Sequence, residues 1–212
     1  MNIIKVGKVI KRVYHGKIGT LGFGTGNKKS PVIIRVIGQK MARIIGLEAG
    51  KVKLEGYSPA WGEMYKAEER LIRSVFGDEI ICLEHIGSTA IPHLRAKPII
   101  DILLVLNLDA QLASAMGLLE ALGYQRGDFP KEEGEFYMKG KEGLHTHYLH
   151  LRQETHSWKK YIAFRDYLRT HPGVAMEYEL LKDRLREEYH SMREYYTRGK
   201  DAFITGILAK IQ

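Results

Sequence analysis

Apolar residues recur along the chain in two rhythms, and the switches between them outline its elements. Trp61, Met64, Tyr65, Leu71, Ile72 and Val75 fall three or four apart, with Glu68 the one charged member of the stripe. That spacing predicts an amphipathic helix lying on a core. Ser58 and Pro59 precede it, a cap residue and a first-turn residue in helix-starting order, and Gly77-Asp78 ends it. An apolar run over 80–83 and a second over 99–106, broken only by Asp101, lie between turn signals and mark buried strands at 80–86 and 99–106. Leu108, Leu112, Met116, Leu119 and Leu122 mark a second helix stopped at Gly123. Residues 135–139 and 144–151 read as two strands joined through Gly140-Lys141-Glu142-Gly143, a hairpin. From 156 to 211 helical spacing dominates, broken at Pro172-Gly173 and nicked at Gly199.

The first quarter follows a different pattern. Residues 3–13 and 32–37 are rich in Val and Ile, and Gly16, Gly19, Gly22, Gly24 and Gly26 punctuate the chain between them. Short strands and tight turns are expected here, followed by one helical turn at 42–47 and a last strand at 51–54. The turn Gly56-Tyr57-Ser58-Pro59 sets the expected boundary between a β-rich module, 1–55, and a second domain, 56–212. A short mixed sheet with packed helices and a C-terminal helical bundle makes that domain α+β, or α/β-like, in class.

Composition narrows the setting. A hydrophobic content of 44% and a charged content of 27% are those of a globular protein with a real core. Cys82 is the only cysteine, which excludes an internal disulfide and fits a reducing compartment. No apolar run approaches the ~20 residues of a membrane helix. Lys5, Lys8, Lys11 and Arg12 interrupt the N-terminus too often for a signal peptide, so a cytoplasmic protein without membrane association is expected. The net charge of +8 is unevenly spread: residues 1–50 hold ten basic side chains against Glu48 alone, and the rest of the chain is near neutral. A basic, Gly-rich β module suits a polyanion such as nucleic acid. The competing reading is a solvated lysine-rich face, and only Tyr14 and Phe23 are available to stack on bases.

Asp101 is the residue that most needs explaining. It is the single charge in an apolar run, where a carboxylate is costly unless a cation, a metal or hydrogen bonds compensate it. Upstream, the run 80–86 breaks at Gly87-Ser88, and a loop with Pro92 and Pro98 follows. Ile86-Gly87-Ser88, twelve intervening residues, then Asp101-Ile102-Leu103-Leu104 resembles the nucleotidyltransferase superfamily typified by DNA polymerase beta. In that motif the second half carries two acids spaced by two, because residues i and i+2 share a face of a strand. Here Leu103 stands in the second acid's place. A closer resemblance is to the GrpB-like family. It is carried by His85-Ile86-Gly87-Ser88-Thr89-Ala90-Ile91-Pro92 and by Ala96-Lys97-Pro98-Ile99-Ile100-Asp101-Ile102. Further on it continues in His147-Tyr148-Leu149-His150-Leu151, in Phe164-Arg165-Asp166-Tyr167-Leu168-Arg169, and in Pro172, Tyr178, Lys182, Tyr196 and Lys200. It runs from about Val52 to the C-terminus and implies a nucleotidyltransferase-like fold, one also found fused to some dephospho-CoA kinases.

These residues support a candidate site. A Gly-Ser turn lets backbone N–H groups and a hydroxyl meet phosphate oxygens, so Gly87, Ser88 and Thr89 are expected to face a nucleotide or another phosphorylated small molecule. The alternative is a tight strand exit. Lys97 is placed to neutralise either a phosphate or Asp101. Arg165 and Arg169 share a helix face, and Arg165 is the candidate phosphate fork. Asp101 is the candidate catalytic carboxylate and metal ligand, for Mg²⁺ or Mn²⁺. Glu84, His147 and His150, with His145 beside His147 on one strand face, are possible replacements for the missing acid. Against that, these histidines are ordinary hydrogen-bonding residues. Two functions stay open: transfer of a nucleotidyl or phosphoryl group, or binding of a nucleotide or CoA-type ligand without chemistry.

Overall fold

The computed structural model describes residues 4–6, 9–14, 17–19, 45–107, 112–127, 134–141, 143–154 and 158–211, the first three segments and residues 112–113 as backbone only. Two compact units divide the chain, Met1–Gln39 and Lys40–Gln212. The first contains an antiparallel sheet of β1 (Ile4–Val6), β2 (Val9–Tyr14) and β3 (Lys17–Gly19) in that order. The Val/Ile run 32–37 and the first half of the expected helical turn at 42–47 lie outside the described residues; its second half is a bend running into a strand at Leu47–Glu48, not a helix. So do the side chains of the basic segment up to residue 44, and with them the expected nucleic-acid surface.

The second unit is built on a mixed sheet. After β4 (Leu47–Glu48) and helix α1 (Ala60–Phe76) come β5 (Ile80–Ile86) and β6 (Ile100–Leu106). Helix α2 (Leu112–Ala121), β7 (Tyr124–Arg126), β8 (Glu135–Lys141) and β9 (Leu144–Gln153) complete it. The strand order is β5-β6-β9-β8-β7, with β4 paired to the start of β9. Only β6 and β9 run parallel; the other pairs are antiparallel. Four helices follow: α3 (Lys159–Thr170), α4 (Pro172–Glu188), α5 (Arg193–Arg198) and α6 (Asp201–Ile211). The α+β domain with a C-terminal helical bundle is therefore the observed architecture. No helix among the described residues is long and apolar enough to cross a membrane.

β6 lies inside the sheet and is covered on both faces, which is why its sequence beyond Asp101 is apolar without alternation. Ile100, Ile102, Leu104 and Leu106 point into the main core with Trp61, Met64, Ile72 and Phe76 of α1 and Leu119 of α2. Leu103 and Val105 point the other way, against Ile86 and under Trp158, Tyr161 and Ile162. Glu68, the charged member of the α1 stripe, is buried because Lys139 of β8 reaches across to hold both its oxygens, at 2.7 and 3.0 Å. The helical bundle packs on the loop after β5, where Ile91 and Leu94 meet Leu168 and Tyr178.

Several local expectations change. Residues 45–55 are part of the second unit. Glu55 and Ala96 exchange two backbone hydrogen bonds (2.8 and 3.0 Å), and Val52 N–H donates to the His190 carbonyl at 3.0 Å. Val52 and Leu54 pack on Leu185 and Tyr196. The turn at 56–59 is thus internal to the Lys40–Gln212 unit, and 51–54 has no regular secondary structure, with an isolated bridge at Glu55 in place of a strand. Ser58 does not cap α1 with its side chain; its carbonyl accepts from Trp61 N–H at 3.0 Å. The three-residue β7 was too short to announce itself. The break between α4 and α5 carries no Gly or Pro; there the His190 carbonyl turns to Val52.

Candidate functional site

The site begins where β5 stops. Ile86 pairs with Asp101 across the sheet, and Gly87 then turns the chain at φ +70° into a single 3-10 turn, Ser88–Ala90. A side chain at 87 has no room: an added Cβ would lie 2.6 Å from Asp101 Oδ2. Glycine is needed here both for its backbone angle and for the close passage over the carboxylate. Thr89, buried, donates to the Ile99 carbonyl at 3.3 Å and lies 3.0 Å from His85 Nε2. His85 in turn stacks on Tyr65 with ring centroids 4.9 Å apart. Arg169 donates from Nε and Nη2 to the Ala90 carbonyl, at 3.0 and 2.7 Å. Ser88 is half-buried and hydrogen-bonds the Tyr178 hydroxyl.

Asp101 keeps 28% of its side chain exposed, with His150 Nε2 3.7 Å from Oδ1. Residues paired side by side share a sheet face, so Ile86, Asp101 and Tyr148 stand in one row and Glu84, Leu103 and His150 in the next. Burial alone raises a carboxyl pKa. Here His150 and the charges of Lys97 and Lys200 outweigh burial and hold Asp101 below the usual carboxylate range.

Cations gather opposite that carboxylate. Lys97 Nζ and Lys200 Nζ lie over the same ring, that of the buried Tyr196, at 5.5 and 5.0 Å from its centroid. The Arg193 guanidinium lies 4.7 Å over Tyr148. Lys182 sits over Tyr178 at 5.1 Å and donates to the Arg95 carbonyl. Burial pushes the Lys97 ammonium well below the usual lysine range, and Arg193 and Lys200 push it further. Lys200 is lowered by burial and by Arg193, against the pull of Asp101 and Asp201. Burial brings Lys182 down to about 7.

Gly87, Ser88, Lys97, Asp101 and His150 therefore come together as the sequence suggested, and the other candidates do not join them. Arg165 is buried and fully engaged. Its Nη1 donates to Glu84 Oε2 at 2.7 Å and to the His85 carbonyl at 2.8 Å, while Nε and Nη2 hold Asp166 at 2.8 and 3.1 Å. It braces β5 rather than presenting a fork, and it takes Glu84 with it. Thr89 is a turn anchor. His147 lies on the opposite sheet face, beside Ile100 of the core, and burial lowers it to about 4. His145 does not share His147's face, because a register shift between Lys139 and Gly140 changes the phase of β9. Instead its Nδ1 lies 2.9 Å from the Tyr148 hydroxyl. Arg193 and Tyr148 were not anticipated as site residues. Arg193 follows an unread helix break, so nothing in its neighbourhood pointed inward.

The nucleotidyltransferase resemblance implies a divalent metal, and the donor set does not fit one. Among the described residues no group of three or more His, Cys, Asp and Glu is placed to hold an ion. The one available carboxylate is matched by three cations, and hard divalent ions take several oxygen ligands. The arrangement can instead hold an anion.

The family model described as GrpB protein matches residues 51–210. The chain belongs to the GrpB family. Similar proteins include the UPF0157 protein YqkA of Bacillus subtilis, 35% identical over 159 residues, 73% of this chain and 45% of YqkA. A UPF0157 protein of Pseudomonas aeruginosa is 38% identical over 156 residues, 72% of this chain and 64% of its own length. The glutamate-rich protein GrpB of Alkalihalophilus pseudofirmus is 34% identical over 171 residues, 78% and 98%. The chain thus spans less than two thirds of the first two relatives and nearly all of the third. The crystal structure of the conserved protein GrpB from Enterococcus faecalis superposes with a TM-score of 0.67 at 31% identity, covering 75% of this chain and 96% of that one. The GrpB match contains the turn, Asp101 and the whole cation group, and leaves Met1–Gln39 outside it.

Proposed function

We propose that this GrpB-family chain uses a nucleotidyltransferase-like fold to bind a phosphorylated small molecule, of nucleotide or CoA type, in front of the Gly87-Ser88 turn. The observation that carries this reading is the partly open Asp101 carboxylate, crossed by Gly87 and faced by the half-buried Lys97 and Lys200. Phosphate oxygens would meet the Ser88 hydroxyl and the lysine ammonium groups, and Asp101 with His150 would take a hydroxyl or amine of the ligand. Binding without chemistry is favoured over transfer because the second acid position is Leu103, fully buried under Trp158, Tyr161 and Ile162. Transfer of a nucleotidyl or phosphoryl group with Mg²⁺ or Mn²⁺ is the second reading. It is supported by the ionised, partly exposed state of Asp101.

A thermal-shift screen of nucleotides and CoA precursors, with and without Mg²⁺ or Mn²⁺, tests both on wild type and Asp101→Ala. A ligand at one hundred times its Kd contributes about 2.7 kcal/mol of stability, an easily read shift. The expected outcome is a shift with no product on incubation. Product formation that disappears in Asp101→Ala supports the transferase reading, and no shift with any phosphorylated ligand removes both. The charge of residues 1–50 supports a separate polyanion surface. Deleting residues 1–39, which the compact units allow, should abolish salt-sensitive nucleic-acid binding; equal binding by the shortened chain disposes of that surface.

A further inference from the structure

We infer that Lys97, Arg193 and Lys200 form a metal-independent phosphate seat, supplying from side chains the charge neutralisation that a metal-dependent transferase draws from divalent ions; this rests on the phosphate-ligand reading above. Three elements converge to build it. Lys97 comes from the loop that delivers β6, Arg193 begins α5, and Lys200 stands between α5 and α6. Tyr196 fixes their spacing, since both lysine ammonium groups rest on its one buried ring at 5.5 and 5.0 Å. Arg193 is held over Tyr148, the β9 residue paired with Asp101.

Like charges are crowded here at a half-buried location, where their repulsion is poorly screened. The acidic groups facing them are Asp101 and, beside Lys200, Asp201. Lys182 adds a further positive charge from α4, with Glu179 and Asp183 beside it. A divalent cation placed at Asp101 would join this repulsion. A phosphate dianion would relieve it, restoring the fully charged lysines and drawing on donors already desolvated and oriented. The aromatic rings hold the cations without supplying a counter-charge, so the seat is short of negative charge and ready for an anion. In this arrangement Asp101 is a built-in competitor for the same cations.

That last relation gives a test in which the two explanations predict opposite signs. Binding of inorganic pyrophosphate is measured by calorimetry on the full chain in EDTA, then with Mg²⁺. The seat predicts binding in EDTA that Mg²⁺ does not strengthen, a loss of at least about tenfold in affinity for Arg193→Gln and for Lys200→Gln, and retention in Lys200→Arg. Asp101→Asn should bind more tightly than wild type. Far-UV circular dichroism confirms that each variant is folded, and the loss is read from whichever of Arg193→Gln, Lys200→Gln and Lys97→Gln retains the wild-type spectrum. If binding requires Mg²⁺ and is lost in Asp101→Asn, the metal-free seat is overturned while a phosphate ligand stands. If pyrophosphate, nucleotides and CoA precursors all fail to bind with or without metal, the phosphate reading itself falls and the seat with it.

Discussion

Gly87 passes so close to Asp101 that a single added carbon would sit 2.6 Å from Oδ2 and 3.0 Å from the aspartate's own Cβ. The turn and the carboxylate are therefore one structural object: neither can move without the other. Gly87→Ala should cost about 1–3 kcal/mol from the positive φ alone, with the collision added to it, and should abolish any ligand-induced thermal shift. Urea denaturation of Gly87→Ala and of Gly87→Ala/Asp101→Gly separates the two parts. The double variant should recover the steric share and keep the backbone share. Equal stability of both variants would show that the close passage carries no strain.

Arg165 holds the same region from behind. Its guanidinium joins Glu84, Asp166 and the His85 carbonyl, with only 7% of its side chain exposed. The planar fork reaches four acceptor oxygens on these three residues, one more than an ammonium's three donors can meet. Arg165→Lys should lose roughly 2–4 kcal/mol by leaving buried acceptors unmet. Glu84→Gln should lose under about 1 kcal/mol, because Glu84 is 42% exposed and water replaces its partner. Chemical denaturation reads both, and comparable losses would mean that the arginine's value lies in the ion pair rather than in the fork.

The parts of this arrangement that the sequence displayed are those set by short-range rules. Strand and helix positions followed from periodicity, and the turn and Asp101 from a glycine next to a lone charge in an apolar run. Glu68 looked like an intruder in the α1 stripe until Lys139, seventy-one residues away, supplied its partner. Distances of that kind are invisible to local pattern. The histidines failed for a related reason. Alternation along β9 assigned His145 and His147 to one face, but the register shift opposite Gly140 changes the phase between them. Arg165 and Arg169 were read as a fork for phosphate, yet a helix face does not say whether a guanidinium ends on a ligand or, as here, on carboxylates and the His85 and Ala90 carbonyls. Lys97 and Lys200 share a ring only because the chain breaks between α4 and α5, and that break has no residue signature.

Two histidines make the fold acid-sensitive in a defined window. His85 is lowered to about 4, first by burial, with Arg169, Arg165 and His147 adding to the shift and Asp101 opposing it. His147 is lowered to about 4 by burial, with Lys139 adding and Glu68 opposing. Their unfolded value is near 6.5. Between those pH values the unfolded chain binds more protons than the folded one. The histidines' contribution to stability is therefore fully present above about 6.5 and is lost as pH falls toward 4, by roughly 3 kcal/mol per histidine. Asp101 and Asp166 are also depressed, and their contribution is lost only as pH falls through the ordinary carboxylate range, below the histidine window. Urea midpoints at pH 7 and pH 5 should differ clearly in wild type and much less in His85→Gln/His147→Gln. An undiminished difference in the double variant would assign the acid sensitivity elsewhere.

Leu103 decides whether the absent second acid is a recent loss or a commitment of the core. It is fully buried beside Ile86 and Val105, under Trp158, Tyr161 and Ile162. Its strand neighbours are Glu84 on one side and His150 on the other. Restoring the motif with Leu103→Asp would remove a packed side chain, worth about 2–5 kcal/mol, and bury a charge next to Glu84. Leu103→Asn removes the same packing without the charge, so the gap between the two isolates the cost of ionisation. That gap should narrow as pH falls and the new carboxyl protonates. If position 103 were a dormant ligand site, Mg²⁺ would stabilise Leu103→Asp and leave Leu103→Asn unchanged. With the seat already occupied by Lys97, Arg193 and Lys200, no such selective stabilisation is expected, and Leu103→Asp should be the less stable variant at neutral pH whether or not Mg²⁺ is present.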